Sequence, residues 1–226
     1  MEFSGFGPGT TTFLADIATR QDRAWFAENR ARYEREVLDK ERAFVDAVGT
    51  AFASVDGRVQ AVPAVDRSIF RIFRDVRFSR DKSPYKTHAD MRFWVGDDFK
   101  RGPSYYVRIV ADGVTVGGGA HQLQPDQIAR LRSAIVAPAS GEELECILGE
   151  LGSAGYEVGE ATLARVPSGF SADSPRAELL RYTMVHALRR VSPEPPEFAS
   201  AAFVGWCMEH FGAVKPLIDW LAETIG

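Results

Sequence analysis

The sequence predicts an α+β fold in one domain, a mostly antiparallel central sheet with helices packed around it, a helical N-terminal third and a C-terminal helix. Three observations carry this. Apolar residues recur at three- and four-residue spacings near both ends of the 226-residue chain, which marks amphipathic helices. The centre instead holds aromatic and β-branched runs around an Asp-Gly pair, which marks a hairpin. The regular strand-helix alternation of a doubly wound parallel sheet is missing.

In the first third, Phe13, Leu14 and Ile17 open an apolar face. Trp25, Phe26, Tyr33, Val37, Phe44, Val45, Val48 and Phe52 continue it. Asp22 is placed to cap the segment carrying Trp25, and Gly57 and Pro63 close the helical region. MRFWV (91–95) and SYYVRIV (104–110) read as strands. Asp112-Gly113, leading into VTVGG, is a type I′ turn signal because Gly tolerates positive φ. Gly117-Gly118-Gly119 lacks the Lys-Ser/Thr of a phosphate loop and reads as a strand end or bulge.

Pro125 suits the first turn of a helix through Ile128, Leu131 and Ile135. Ser140 and Glu143 form a capping-box pattern ahead of Leu144, Ile147, Leu148 and Leu151. YEVGEATLARV suggests one or two further strands, Ser174-Pro175 a short helix through Leu179 and Leu180, and MVHALRRV another strand. Phe198, Phe203, Trp206, Phe211, Leu217, Ile218 and Leu221 define the C-terminal helix, with Pro216 expected to kink or restart it. No repeat, low-complexity tract or linker divides the chain, so residues 1–226 are read as one domain.

At 45% hydrophobic and 26% charged residues, the composition is that of a soluble globular protein. No apolar run approaches the ~18 to 20 residues of a membrane span, which excludes a membrane partner, and the N-terminus lacks a secretory leader. Cys146 and Cys207 belong to no CxxC or His/Cys cluster. They read as buried small apolar residues in a reducing compartment, the cytoplasm. His88, His121, His186 and His210 show no metal-ligand spacing. No metal or other cofactor is expected.

Net charge is −4, which argues against a generally basic nucleic-acid coat. Its distribution is uneven. Between positions 67 and 92 stand eight basic residues against three acidic ones, a local +5, so the rest of the chain carries −9. Such an island attracts an anion to one place while the remainder repels it. For residues 68–78 two geometries stay open. Ile69, Ile72, Phe73 and Val76 fit a helix, whereas Phe70, Ile72, Val76 and Phe78 fit a period of two. Either gathers guanidinium groups on one surface.

Arg offers a planar fork matched to phosphate or carboxylate, and Lys a mobile point charge. Arg71, Arg74, Arg77, Lys82 and Lys86 are therefore the candidate anion ligands. Asp75, Ser79, Asp81, Tyr85 and His121 are the candidate supporting residues. The competing reading is an ion-pair network with Asp75, Asp81 and Asp90. Only five of the 27 basic residues are lysines, and two of them, Lys82 and Lys86, share one five-residue stretch. An arginine-rich composition does not account for that.

FRIFRDVRFSRDKSPYKTH, together with FSGF, WFAENRARYE, YYVRI, VGGG and RVPSGF in order along the chain, resembles the family catalogued as domain of unknown function 2461. The resemblance implies a single soluble domain of a mainly bacterial family. It implies weight for Arg71, Arg74, Asp75, Arg77, Phe78, Ser79, Asp81, Lys82, Pro84, Tyr85 and Lys86 as the central motif, and no reaction. The leading expectation is a protein that binds a phosphorylated or carboxylated small molecule at residues 67–92, with an enzymatic role left open. The alternatives are nucleic-acid binding through the same island, with Tyr85 and Phe78 stacking on bases, and a scaffold in which the island is structural. Oligomeric state is left open.

Overall fold

The helical spacing of the first third is realised as a run of helices. In the computed structural model, which describes residues 2–226, α1 spans Gly7–Thr19, α2 Arg23–Glu28 and α3 Arg30–Tyr33. Asp22 caps α2 as the sequence predicts, its carboxylate accepting from the backbone N–H groups of Ala24 and Trp25. A π-helical turn at Glu34–Leu38 joins α3 to α4 (Asp39–Val55). The wide turn advances the helix by one residue. It is braced by the Thr10 hydroxyl, which donates to the Glu36 carbonyl (2.6 Å), and by the Lys40 ammonium, which donates to the Phe6 carbonyl (2.5 Å). From there, Glu41, Phe44, Val45, Val48 and Phe52 of α4 face inward.

Six strands come after α4: β1 (Val59–Gln60), β2 (Ala89–Val95), β3 (Ser104–Val110), β4 (Gly113–Ala120), β5 (Glu157–Val158) and β6 (Val185–Val191). They form one antiparallel sheet in the order β1-β2-β3-β4-β6-β5, and the chain is α+β. Helices α5 (Pro125–Val136) and α6 (Pro138–Ser153) separate β4 from β5, and α7 (Ala202–Ile225) ends the chain. No helix among the described residues is long and apolar enough to cross a membrane.

Two compact units interleave along the sequence. The first comprises Met1–Phe93, Tyr106–Val116 and Arg190–Glu209, and the second Trp94–Tyr105, Gly117–Arg189 and His210–Gly226. The first unit is held by an aromatic cluster. Phe6 stacks on Phe198 at 5.5 Å, and Phe44 lies 5.1 Å from Phe3 and 5.4 Å from Phe203. Burying each such ring contributes about 1.5 to 3 kcal/mol, with roughly 0.5 to 1.5 more for a well-placed ring pair. In the second unit, the Gln127 amide donates to the carbonyls of Arg101 (2.9 Å) and Ile225 (3.0 Å). The Trp220 indole donates to Ser140 O, and Tyr105 packs on Phe211.

Several local expectations change. The hairpin turn is Ala111-Asp112 and not a type I′ Asp-Gly pair: neither residue takes positive φ, and Gly113 already belongs to β4. Gly113 serves close packing instead, since a Cβ there would lie 2.4 Å from the Val191 carbonyl of β6. Gly117-Gly118-Gly119 is strand interior, and a Cβ at Gly119 would meet Val185 O at 2.2 Å. Helix α6 starts at Pro138, so Ser140 lies inside its first turn and does not cap it. YEVGEATLARV yields only the two-residue β5. Pro216 sits within α7 without ending it. Cys207 is buried but Cys146 is exposed, with Sγ 3.6 Å from a Glu150 carboxylate oxygen. Trp94 and Trp220 are buried, whereas Trp25 and Trp206 are only partly so.

Candidate functional site

Residues 68–78 form neither a helix nor a continuous strand. Two short antiparallel contacts fold them against residues 84–92. Ile69 bridges Met91, with Phe70 N–H donating to Asp90 O (3.0 Å) and Arg92 N–H to Ser68 O (2.9 Å). Phe73 bridges Tyr85, with Arg74 N–H donating to Pro84 O (2.9 Å) and Lys86 N–H to Ile72 O (2.8 Å). Pro84 is used only as an acceptor, so its missing N–H costs nothing. Tyr85 is pinned from the helical side, since its N–H donates to the Gln21 side-chain oxygen (3.0 Å) and its ring stacks on Phe26 at 4.5 Å. These contacts close residues 75–83 into an exposed loop and fix Lys86 and His88 at its base.

A cavity of about 610 Å³ lies there, lined by Ala18, Gln21, Arg74, Asp75, Asp81, Ser83, Tyr85, Lys86, Thr87 and His88, all in the first unit. Of the five cations singled out in the sequence, two reach it. Arg74 does so already engaged, with its guanidinium on Asp81 and on the Ser83 carbonyl (3.2 Å). Lys86 does so with an ammonium that makes no hydrogen bond or ion pair among the described residues. It sits 5.0 Å over the Phe70 ring. Burial, aided by the neighbouring Arg108 and Arg71 charges and opposed by Asp90, lowers its pKa from the usual lysine value.

The other three cations do not line the cavity. Arg77 holds Asp75 through two nitrogens (3.0 and 2.7 Å), which brings that carboxyl down to about 2. Lys82 donates to the Val76 carbonyl (2.9 Å). Arg71 is exposed. Among the supporting candidates, Asp75, Asp81 and Tyr85 line the cavity and Ser79 does not. Hydrogen bonds from the Ser83 hydroxyl and N–H, then from Arg74, hold the Asp81 carboxyl well below the usual range. His121 belongs to the second unit, where its ring stacks on His186 at 5.0 Å. Because the Arg77–Asp75 pair is fully exposed, water screens it. Arg77→Ala is expected to leave the melting temperature unchanged within error in a thermal scan.

Behind Lys86 and His88 is a network that no sequence pattern had singled out as a unit. Asp90, 5% exposed on β2, accepts three side-chain hydrogen bonds. One oxygen accepts the Tyr106 hydroxyl (2.8 Å) and Arg108 Nε (2.7 Å), and the other accepts Arg108 Nη2 (3.1 Å) and lies 3.3 Å from His88 Nε2. Burial alone would raise its pKa, but the His88 and Arg108 contacts outweigh that and hold the carboxyl well below its usual range. Period-two alternation on β3 places Tyr106 and Arg108 on one face. His88 and Asp90 are likewise two residues apart at the start of β2, and that pair of i, i+2 spacings was the available signal.

Glu41 completes the group. It is 1% exposed, and its Oε1 has no hydrogen-bond partner among the described residues. Burial first, then the Asp90 charge, pushes its carboxyl well above the usual range, against weaker opposing effects of Lys86 and Arg42. A carboxyl raised in the folded state stabilises fully below its unfolded pKa of about 4.3 and loses that contribution as pH rises through the folded value. Wild-type stability is therefore expected to fall as pH rises above that point, by at most about 1.4 kcal/mol per pH unit for one proton. Urea unfolding at a series of pH values should show this slope flattened in Glu41→Gln. Lys86 and Arg108 have Asp90 behind the cavity, while Asp75 and Asp81 line it with Arg74.

Among the described residues no group of three or more His, Cys, Asp and Glu side chains could hold a metal ion. The family model described as conserved hypothetical protein, DUF2461, matches residues 9–220, and the chain belongs to that family. No curated protein and no solved structure matches it.

Proposed function

We propose that this member of the DUF2461 family binds an anionic small molecule, carrying a phosphate or carboxylate, in the cavity beside Lys86. The observation that supports this reading is the Lys86 ammonium itself, half-buried at the cavity wall with no carboxylate bonded to it. At an effective dielectric constant of about 20, an ammonium and an anion 4 Å apart attract by about 4 kcal/mol, against about 1 kcal/mol in water. Partial burial therefore makes one lysine worth more here than several exposed arginines. Arg74 adds a second cation across the cavity, steadied by Asp81. Nucleic-acid binding ranks lower, because Arg74, Arg77 and Lys82 already donate to protein acceptors. Two free thiols, one of them exposed, fit a reducing, cytoplasmic setting.

A thermal-shift panel of inorganic phosphate, sugar phosphates, nucleotides and di- and tricarboxylates tests the reading on wild type, Lys86→Ala and Lys82→Ala. Binding at 100 times Kd stabilises a folded protein by about 2.7 kcal/mol, which is several degrees. The expected result is stabilisation that persists in Lys82→Ala and disappears in Lys86→Ala. Equal stabilisation of all three proteins would exclude the site.

A further inference from the structure

The first unit also carries a group suited to moving a proton on whatever molecule the cavity holds. Resting on the anion-binding reading above, we infer that the protein is an enzyme in which His88 is the general base toward an anionic substrate, with Asp90 as its positioning residue.

The geometry supplies the argument. His88 lines the large cavity together with Lys86. Its Nε2 lies 3.3 Å from an Asp90 oxygen. An ionised carboxylate only accepts hydrogen bonds, so the hydrogen of the neutral ring sits on Nε2 and Nδ1 is left bare as the basic atom. Asp90 cannot swing away, because Tyr106 and both donors of the Arg108 fork hold its two oxygens. An imidazole oriented by a buried carboxylate is the arrangement by which a base is fixed in one tautomer and its protonated form stabilised.

A second feature points the same way. His88 also lines a small cavity, of about 10 Å³, together with Glu41. Glu41 is almost fully buried, and its Oε1 meets no protein donor. A buried polar atom with no partner costs roughly 1 to 3 kcal/mol, a cost that packing alone does not explain. Glu41 lines the same small cavity as His88, and burial pushes its carboxyl well above the usual range.

In the step, an O–H, N–H or C–H bond of the bound anion breaks. Its proton passes to His88 Nδ1, and the electron pair of the broken bond stays on the substrate. The Nε2 hydrogen remains bonded to Asp90, whose charge offsets the imidazolium. Lys86 holds the substrate's anionic group and stabilises the charge that develops.

Nitrogen-15 NMR of the imidazole rings tests this on the whole protein, which has four histidines. Sulfate is the probe, because its charge stays fixed over the titration, with chloride at equal ionic strength as control. The expected spectrum of neutral His88 has a protonated-type shift at Nε2 and an unprotonated-type shift at Nδ1. Sulfate should displace the His88 ring resonances relative to the chloride control, as an anion seated against the base would. In Asp90→Asn the tautomer preference should be lost. If that variant does not fold, Tyr106→Phe, which keeps the Asp90 charge, should retain the preference. A protonated-type shift at Nδ1 overturns the inference whatever sulfate does. An unprotonated Nδ1 with a Lys86 response but none at His88 puts the anion beyond reach of the base and overturns the inference alone. No response at either residue refutes the anion-binding reading, and the substrate assignment fails with it.

Discussion

Replacing Asp90 with alanine is expected to destabilise the protein by about 3 to 5 kcal/mol, the range for breaking a buried charge pair from one side. The carboxylate receives Tyr106, Arg108 and His88 at once, and alanine leaves all of them facing a void. Asn keeps the shape and one acceptor, so Asp90→Asn should cost less than Asp90→Ala while still losing the charge that holds Arg108. The pH dependence has a definite sign. Because the folded carboxyl lies below its unfolded value of about 3.9, its contribution is complete above that pH and is lost as pH falls through the folded value. Urea denaturation at neutral pH and in acid checks both points: the variants should be weaker at neutral pH and lose less further stability on acidification. Asp90 and Glu41 thus act at opposite ends, the first losing its contribution as pH falls and the second as pH rises.

Phe44→Ala is expected to cost about 3 to 5 kcal/mol, the usual range for emptying a buried phenylalanine site. Phe44 has no exposed surface and lies between 5.1 and 6.2 Å from the rings of Phe3, Phe6, Phe93 and Phe203. Those neighbours come from the N-terminal segment, β2 and α7, so the cavity left behind has no single flexible side to collapse. Chemical denaturation gives the magnitude directly. A loss under about 1 kcal/mol would mean that the cluster repacks, which close-packed interiors rarely allow.

The periodic parts of this fold were legible in the sequence. Helix α1 and the helices after it follow from the spacing of Phe13, Ile17, Phe26, Val37 and Phe44, and β2, β3 and β6 from their β-branched and aromatic runs. What misled was local chemistry overridden by packing. Asp112-Gly113 has the composition of a type I′ turn, but the turn sits one residue earlier because β6 needs Gly113 inside the strand for close approach. Ser140 and Glu143 match a capping box, but Pro138 starts the helix before them. The ambiguity at residues 68–78 was real, since that segment takes its shape from pairing with residues 84–92 and has no strong preference of its own.

The candidate site was only half legible. The pairing of Lys82 and Lys86 in an arginine-rich chain pointed to this loop, and of the two lysines only Lys86 lines the cavity. Arg77 was drawn in by charge and Lys82 by the same lysine pairing as Lys86, and the structure gives both of them protein partners. Glu41, Tyr106 and Arg108, and the role of Asp90 at their centre, were not found, because these residues come from three separated stretches and meet only when β2 and β3 pair and α4 packs beside them. A buried glutamate on an amphipathic helix looks in sequence like any residue on its polar face.

In the proposed reading Lys86 holds the anion, and its own titration tests this. The chain has five lysines, so protein labelled with carbon-13 at the lysine ε position gives a spectrum simple enough to follow each one. Without added anion, Lys86 should titrate below the usual lysine value, because burial disfavours its charged form. Adding sulfate at constant ionic strength should raise its apparent pKa and leave Lys82 where it was. A Lys86 signal that ignores sulfate, or one that moves no more than that of Lys82, would contradict the account.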